Sequence, residues 1–271
     1  MKKVLFQGVI SVVLFFSIWF VLNQIDWMNL LRVQKATDYT EEQIGTIFSK
    51  IYKNESIDNQ FVINSVDSVL VRICTKNKID REKIQMHVVT SDDVNAFALP
   101  GHNLVVNKGL LLACDNQEEL AGVLGHEIAH IELNHVMQKV IKEIGLSVLI
   151  SITTGERGPE GIQEIAKQIS STAFDRSLEE AADIMAVDYL ITANIDPEPF
   201  AEFLYKLSDR DHEITKYLSW VSTHPDSKDR SIYIIEESKK REIKSESILS
   251  NSTWNKLQHR LHEISKKAHS N

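Results

Sequence analysis

Two histidines and a glutamate stand close together in residues 126–130, where the sequence reads His-Glu-Ile-Ala-His. His126 and His130 are four residues apart, so on a helix their side chains lie on one face, one turn from each other. Both imidazoles can then bind one metal ion, and Glu127 between them can take a proton from a water molecule that the metal polarises. The pattern is typical of zinc hydrolases in which the glutamate is the general base.

The residues before this motif predict the helix that the ligand spacing requires. Asn116 stands at a suitable capping position, and Glu118 and Glu119 follow in the first turn, where the helix dipole favours acidic side chains. Apolar residues then recur at roughly helical spacing as far as Val136. The alternative is a buried helix with two core histidines, and a glutamate at this offset makes that alternative the weaker one.

A catalytic zinc ion usually has a third protein ligand, and the sequence offers one at Glu179. Metzincins would carry a third histidine at position 136, which is Val, and residues 149–154 lack the glutamate of thermolysin-like enzymes. Glu179 and Asp183 are four residues apart and share a helix face. Glu179 can therefore bind the metal, while Asp183 fixes the tautomer of a ligand histidine. The alternative is an ordinary acidic helix surface.

Two further residues near these motifs are not expected to bind the metal. Glu180 lies about 100° around the same helix from Glu179, so we expect it to face water. His135 stands one residue short of the metzincin position, and we expect it at the surface or beside the metal ligands.

Four sequence elements together resemble the HtpX-like, CAAX-prenyl-protease-like family of membrane-associated gluzincin endopeptidases. That group also contains the Oma-type mitochondrial proteases and the periplasmic proteases BepA and LoiP. The four elements are, in chain order, Asn95–Gly101, His126–His130, Glu179–Asp183, and Ser222–Pro225 with Arg230. The resemblance implies a mainly helical α+β domain of the zincin type, with a small sheet or hairpin beside the metal-binding helix. It also implies one Zn²⁺ per chain, held by His126, His130 and Glu179.

Two departures from the family pattern flank these elements. His102 stands where a second glycine is common, and Asp175 stands where a serine often precedes the arginine. Both concern substrate preference rather than the chemistry of the site.

The resemblance also implies a substrate-binding edge strand formed by Asn95, Ala96, Phe97 and Ala98. These residues precede a turn at Pro100–Gly101, so the segment reads as strand, turn, strand and short helix. An edge strand beside the metal-binding helix has unpaired backbone groups that can bind a peptide as an added strand. The alternative is a plain hairpin under the helix.

Two residues of the last element receive roles from the resemblance. His224 either stabilises the oxyanion of the tetrahedral intermediate or occupies the open position of the metal and holds the enzyme inactive. The sequence does not separate the two roles, but Pro225 restrains the backbone beside His224, and this favours the catalytic role. Arg230 is expected to form a structural ion pair, for which a carboxylate of the site is a candidate partner, and Asp183 and Arg230 would together support the ligands.

Residues Val4–Leu22 predict a membrane anchor, because they carry no charge and are mostly apolar. Nineteen residues form a helix of roughly 28 Å, about the thickness of a bilayer core. The absence of a convincing small-x-small cleavage site favours an uncleaved anchor over a signal peptide. The lysines that precede it place the N-terminus in the cytoplasm, although later basic residues leave the opposite topology open. We therefore divide the chain into an anchor and linker (1–36) and a metalloprotease domain (37–271) that is extracytoplasmic.

Composition limits the remaining interpretations. The net charge of -8 gives no support for nucleic-acid binding, and 43% hydrophobic with 25% charged residues is ordinary for a globular protein. Residues 37–94 predict two helices and a strand, with a capping box at Thr40–Gln43. Residues Ile144–Ile152 are expected to continue the metal-binding helix. Cys74 and Cys114 either form a disulfide or remain buried thiols.

The sequence thus predicts a membrane-anchored zinc endopeptidase, and the resemblance implies that it degrades misfolded or mis-assembled envelope proteins. One alternative is an inactive or latent binding module that holds unfolded clients along its edge strand, but Glu127 would have no purpose in a pure binder. The other alternative is a zinc hydrolase of non-peptide substrates, and the peptide-binding strand argues against it.

Overall fold

The structure is a computed structural model that describes residues 33–145, 148, 149, 151, 154, 159–208, 214–241 and 243–268. The predicted anchor Val4–Leu22 lies outside the described residues. Within those residues, no helix has both the length and the apolar character that a membrane span requires. The chain divides into two units, one ending at Glu41 and the other comprising Glu42–Asn271, and the sheet and the candidate site belong to the second.

The described residues form a mainly helical fold with one small sheet, as the sequence predicts. The helices are α1 Val33–Glu55, α2 Gln60–Asn77, α3 Lys108–Ala113, α4 Gln117–Glu132, α5 His135–Ile144, α6 Pro159–Ser171, α7 Arg176–Thr192, α8 Glu198–Ser208, α9 Ile214–Thr223, α10 Ser227–Ser238 and α11 Asn251–Ala268. The strands are β1 Gln85–Val89, β2 Ala96–Leu99 and β3 Asn103–Asn107.

The first two helices test the prediction for residues 37–94. The capping box predicted at Thr40–Gln43 is wrong, because α1 already begins at Val33 and these residues lie inside it. α2 carries an apolar stripe, and the Asn59 side chain caps the helix by accepting a hydrogen bond from Val62 N at 3.2 Å. The stripe from Val62 to Ile73 is buried in the core. The two predicted helices and the strand β1 are confirmed, but the predicted start of the first helix at Thr40 is not.

The described strands form a three-stranded sheet in the order β1-β3-β2, so β2 is an edge strand. β1 runs parallel to β3, and β2 runs antiparallel to it with Ala98 opposite Leu104. The turn between β2 and β3 holds Gly101 at φ 72° and His102 at φ 58°. The second value explains why glycine suits position 102, since a side chain in the left-handed region is disfavoured.

Asn103 ties this turn to α1. Its side-chain amide donates hydrogen bonds to Pro100 O at 2.7 Å and to Gly45 O at 3.0 Å. A Cβ atom on Gly45 would lie 2.5 Å from Gly101 Cα, so the helix and the turn can approach this closely only because position 45 is glycine.

α4 runs through the core and carries the two histidines of the predicted motif. Asn116 caps it as predicted, because its side chain accepts a hydrogen bond from Glu119 N at 2.8 Å. Gly122 allows α8 to pack closely, since a Cβ atom there would lie 2.2 Å from Phe200 Cβ. Nearly all residues from Gln117 to Ile131 are buried.

The prediction that Ile144–Ile152 continues the metal-binding helix is wrong. α4 ends at Glu132, and Asn134 at φ 56° separates it from α5. α5 in turn ends at Ile144, where Gly145 takes φ 81°, a conformation that stops a helix and that glycine adopts without strain.

The two cysteines are both buried and free, so the disulfide alternative is not realised. Close to Cys114, helix α11 packs Trp254, Leu257 and Leu261 into the core. The indole of Trp254 donates a hydrogen bond to Asp115 O at 3.2 Å.

Candidate metal centre

Four side chains that could bind a metal converge inside the fold. They are His126 and His130 of α4, Glu179 of α7, and His224 in the connection from α9 to α10. One ligand atom from each lies within 4.8 Å of all the others. Each of these residues is at most 2% exposed. The structure therefore brings together the three predicted ligands and also His224.

Small residues let α4 and α7 come close enough to share this cluster. Ala182 and Ala186 are fully buried on the face of α7 that meets α4. A Cβ atom on Gly125 would be in ordinary contact with Ala186, 3.8 Å from its Cβ. His126 Nε2 and His130 Nε2, one turn apart on α4, lie 3.0 Å from each other and face Glu179 across this interface.

Asp183 and Arg230 lie directly behind the ligands. His126 Nδ1 is 2.8 Å from Asp183 Oδ1, a contact that favours the tautomer with Nε2 free for a metal. Arg230 donates two hydrogen bonds of 2.7 Å to the Asp183 carboxylate and also contacts Glu179. Burial alone would raise the pKa of Asp183, but Arg230 and His126 outweigh it and hold that pKa below its usual range.

Glu127 has one carboxylate oxygen engaged and one available. Oε2 accepts a hydrogen bond from Ala98 N at 2.9 Å, whereas Oε1 has no hydrogen-bond partner among the described residues. The residue is fully buried, and burial raises its pKa to about 7. A carboxyl group with a pKa near neutrality can both accept and return a proton.

His224 lies between the general-base candidate and the ligands. Its Nδ1 is 3.0 Å from Glu179 Oε1 and 3.3 Å from His126 Nε2, and its Nε2 is 3.4 Å from Glu127 Oε1. The indole of Trp220 stacks on its ring with 4.3 Å between centroids. Burial lowers the pKa of His224 to about 4, so the imidazole is neutral at pH 7 and carries a lone pair.

Two residues that the sequence did not single out, Phe174 and Tyr233, also line the cluster, together with His135. Phe174 stacks on His130 with 3.8 Å between ring centroids and 18° between planes. His135, left open between surface and site, is buried with its Nδ1 3.0 Å from His130 Nδ1. Tyr233 contacts the Asp183 carboxylate through its hydroxyl. Tyr233 follows Arg230 by three residues on α10, and this spacing could have predicted a shared face.

The edge strand meets the site at Glu127. Asn95 O accepts a hydrogen bond from Asn107 N at 3.1 Å, so the backbone of Asn95 faces β3. The amide of Ala98 points away from β3 and donates its hydrogen bond to the Glu127 carboxylate. Asn95, Ala96 and Ala98 are buried and Phe97 is half-buried. The structure thus places the outer edge of β2 beside the candidate general base.

The donor set fits a bound zinc ion. Imidazole nitrogens and a carboxylate oxygen are ligands that zinc prefers, and catalytic zinc sites use three of them. Buried polar atoms lacking hydrogen-bond partners include Glu127 Oε1 and His224 Nε2, which both belong to this site. Buried polar groups without partners are costly, so their presence here agrees with a site built for additional groups. Glu180, in contrast, is exposed.

Comparison with known proteins agrees with this geometry. The model of the family described as Peptidase family M48 matches residues 63–237. The chain is 29% identical over 157 residues to the "Beta-barrel assembly-enhancing protease" of Yersinia pestis, a match of 54% of this chain and 32% of that protein. It is 28% identical over 202 residues to the "Mitochondrial metalloendopeptidase OMA1" of Schizosaccharomyces pombe, covering 71% and 58% of the two chains.

A further relative is the "Metalloendopeptidase OMA1, mitochondrial" of Bos taurus, with 31% identity over 163 residues, 55% of this chain and 31% of that protein. The matched region thus spans between about a third and somewhat over half of the length of these relatives. The family match contains the histidine motif, the Glu179 element and the His224 element. The resemblance read from those motifs is confirmed, and this chain belongs to peptidase family M48.

Proposed function

We propose that this chain is a zinc-dependent endopeptidase in which His126, His130 and Glu179 hold the metal and Glu127 is the general base. The observation that carries the proposal is the convergence of the four buried metal-binding side chains beside a carboxylate oxygen that has no hydrogen-bond partner. A zinc ion bound there would supply Lewis-acid chemistry, acidifying water and polarising a peptide carbonyl.

The residues of the chain have separate tasks in this mechanism. Glu127 takes a proton from the attacking water at Oε1 and passes it to the leaving amine, which a carboxyl group with a pKa of about 7 can do. Its other oxygen is held by the Ala98 amide, so the acceptor oxygen has a fixed orientation. Asp183 orients His126, and Arg230 offsets the charge of the two carboxylates behind the ligands. We assign substrate binding to Asn95, Ala96, Phe97 and Ala98, whose strand edge lies beside Glu127.

We assign His224 the role of a latch, a side chain that keeps the enzyme inactive in the described arrangement. Glu127 is fully buried and its Oε1 atom lies 3.4 Å from His224 Nε2, so His224 must move before that oxygen can reach an attacking water. The neutral imidazole of His224 contacts the ligands His126 and Glu179 and also Glu127. It therefore lies where the attacking water and the substrate carbonyl would have to bind. We therefore favour occupation of the metal's open position over oxyanion stabilisation.

Removal of the metal should abolish proteolysis if this function is correct. Purified protein should degrade an unfolded substrate such as casein at a low basal rate set by its latent state, and a chelator should stop the degradation until zinc is restored. Metal analysis should find one zinc ion per chain. A metal-free protein that degrades casein at the same rate would contradict the proposal.

Two glutamates on α7 provide a matched comparison for the metal site. Glu179→Ala should lose zinc, because it removes a buried carboxylate that lies among the histidines. Glu180→Ala should retain zinc, because this neighbouring side chain is exposed. Equal zinc retention by the two variants would show that Glu179 is not a ligand.

We also propose that the protein acts on misfolded or mis-assembled envelope proteins from an anchored position. The support is the name of the assembly-enhancing relative and the apolar segment Val4–Leu22. In this proposal residues 1–36 form an uncleaved anchor and linker with a cytoplasmic N-terminus, and residues 37–271 form an extracytoplasmic metalloprotease domain.

Cell fractionation should find the intact chain with membranes, because a 19-residue apolar segment is long enough to span a bilayer. Protease added to the extracytoplasmic side should digest residues 37–271, and protease added to the cytoplasmic side should not. A soluble protein that starts after residue 22 would show instead that the segment is a cleaved signal peptide.

A further inference from the structure

Lys139 is a buried cation that the proposed mechanism does not use. It lies on α5 and is 7% exposed. It follows His135 by four residues, so both side chains occupy the face of α5 that meets the metal centre. Its ammonium lies 4.0 Å from the centroid of the Phe174 ring. No carboxylate of the described residues forms an ion pair with it.

Two other lysines of the described residues, one fully buried and one half-buried, do have carboxylate partners. Lys108, at 1% exposure, lies 2.9 Å from Asp92, and Lys206 lies 2.6 Å from Asp115. A buried charge without a partner loses its hydration and gains little in return, so proteins rarely retain one without a reason. An aromatic face offsets only part of this cost.

The charge of Lys139 is present at neutral pH. Burial lowers the pKa of its ammonium to about 8, and the more distant carboxylates of Glu127 and Glu179 counteract this effect. The group is therefore mainly protonated at pH 7, and an anion that reaches it would meet a largely buried cation. Interactions of that kind are stronger than those at an exposed lysine.

The position of Phe174 places Lys139 in the wall of the metal centre. The Phe174 ring stacks on His130. The backbone N of Phe174 donates a hydrogen bond to Thr223 O at 3.3 Å. The lysine is thus separated from a candidate metal ligand by one aromatic ring.

We propose that Lys139 is a specificity-determining residue whose ammonium binds the carboxylate of an aspartate or glutamate side chain in the peptide substrate, close to the scissile bond. This inference rests on the proposed peptidase function. A full negative charge is favoured over a neutral carbonyl, because only an anion supplies the charge compensation that the described residues do not provide.

Matched peptides test the proposal with the zinc-loaded protein. Each pair differs only in Glu or Gln at one of the three positions on either side of the scissile bond. We expect at one position a kcat/KM at least roughly tenfold higher for Glu, because a desolvated charge pair contributes more than a neutral contact. Lys139→Met should remove this preference, and Lys139→Arg should retain most of it.

Lys142→Met is the matched control on the same helix. Lys142 is exposed and pairs with Asp175, so its loss removes a positive charge from α5 without touching the metal centre. The control should keep the acid preference of the unaltered protein. Equal rates for Glu and Gln peptides at every position, or a preference that persists in Lys139→Met, would overturn the proposal. A uniform loss of rate on all peptides in Lys139→Met would overturn it as well.

Binding measurements separate failure of this proposal from failure of the peptidase function. Fluorescence anisotropy of labelled Glu and Gln peptides on the Glu127→Gln protein reads recognition without cleavage. If no peptide is cleaved by the unaltered protein but Glu peptides bind more tightly in a Lys139-dependent way, the peptidase proposal fails and only the binding of acidic peptides by Lys139 stands. If peptides are cleaved and neither assay shows acid preference, only the inference about Lys139 fails.

Discussion

Replacement of Glu127 by Gln is expected to reduce peptide hydrolysis by at least about 10²–10⁴-fold while zinc content and fold are retained. Gln has the same shape, and its amide oxygen can still accept the hydrogen bond from Ala98 N that Glu127 accepts at 2.9 Å. It cannot take a proton, so the water would remain unactivated. Rates on casein, zinc content and thermal unfolding of the same preparation check the three parts of this expectation.

Glu132→Gln provides the matched control for this change. Glu132 is the last residue of α4 and is exposed, so the same chemical change there leaves the metal centre untouched. It should hydrolyse casein at the rate of the unaltered protein. Activity of Glu127→Gln close to that rate would exclude Glu127 as the base, and loss of zinc would show that the residue supports the metal instead. A protein that retains client binding and never cleaves would favour the alternative of a binding module.

The parts of this site that the sequence predicted are those that depend on local spacing. A four-residue separation within one helix fixes the relation of His126 to His130, and the same separation puts Glu179 and Asp183 on one face. The Asn116 cap is equally local, and it is present as predicted. The meeting of these two helices is not local, and the expectation for it came from the family resemblance rather than from spacing.

The parts that were missed depend on contacts between distant segments or on single backbone angles. Phe174 reaches His130 from 44 positions away in the sequence, and its type alone suggests only a core residue. The place of His135 depends on Asn134, whose φ of 56° ends one helix and redirects the next. Asparagine tolerates this conformation better than most residues, which is the only local signal of the break.

The error at Thr40–Gln43 has a different origin. A Thr followed by Glu and Gln has the composition of a helix start, but the same residues are compatible with a helix interior when earlier residues already form turns. Capping patterns therefore mark the start of a helix only where the preceding segment is not itself helical. At Asn116 and Asn59 this condition holds, because both caps have extended backbone.

Replacement of His224 by Ala is expected to raise the basal proteolytic rate. In the described arrangement the imidazole lies within 3.4 Å of His126, Glu179 and Glu127, and in the proposed mechanism the attacking water and the substrate carbonyl need this space. If the open state holds about 0.1–10% of the population, removal of the occupying group raises activity by roughly 10- to 1,000-fold. The rate on casein before any activating treatment is the measurement.

The alternative role of His224 predicts the opposite sign. A residue that only stabilises the oxyanion would, when lost, lower kcat by about 10²–10³-fold with little change in KM. The control is His259→Ala, since His259 lies on α11 with its side chain 74% exposed and should leave the rate unaltered. Because Trp220 stacks on His224, thermal unfolding must be followed in the same variant to show that the fold persists. An increase in rate identifies a latch, a decrease identifies a catalytic donor, and an unaltered rate with unaltered zinc affinity would remove His224 from the site.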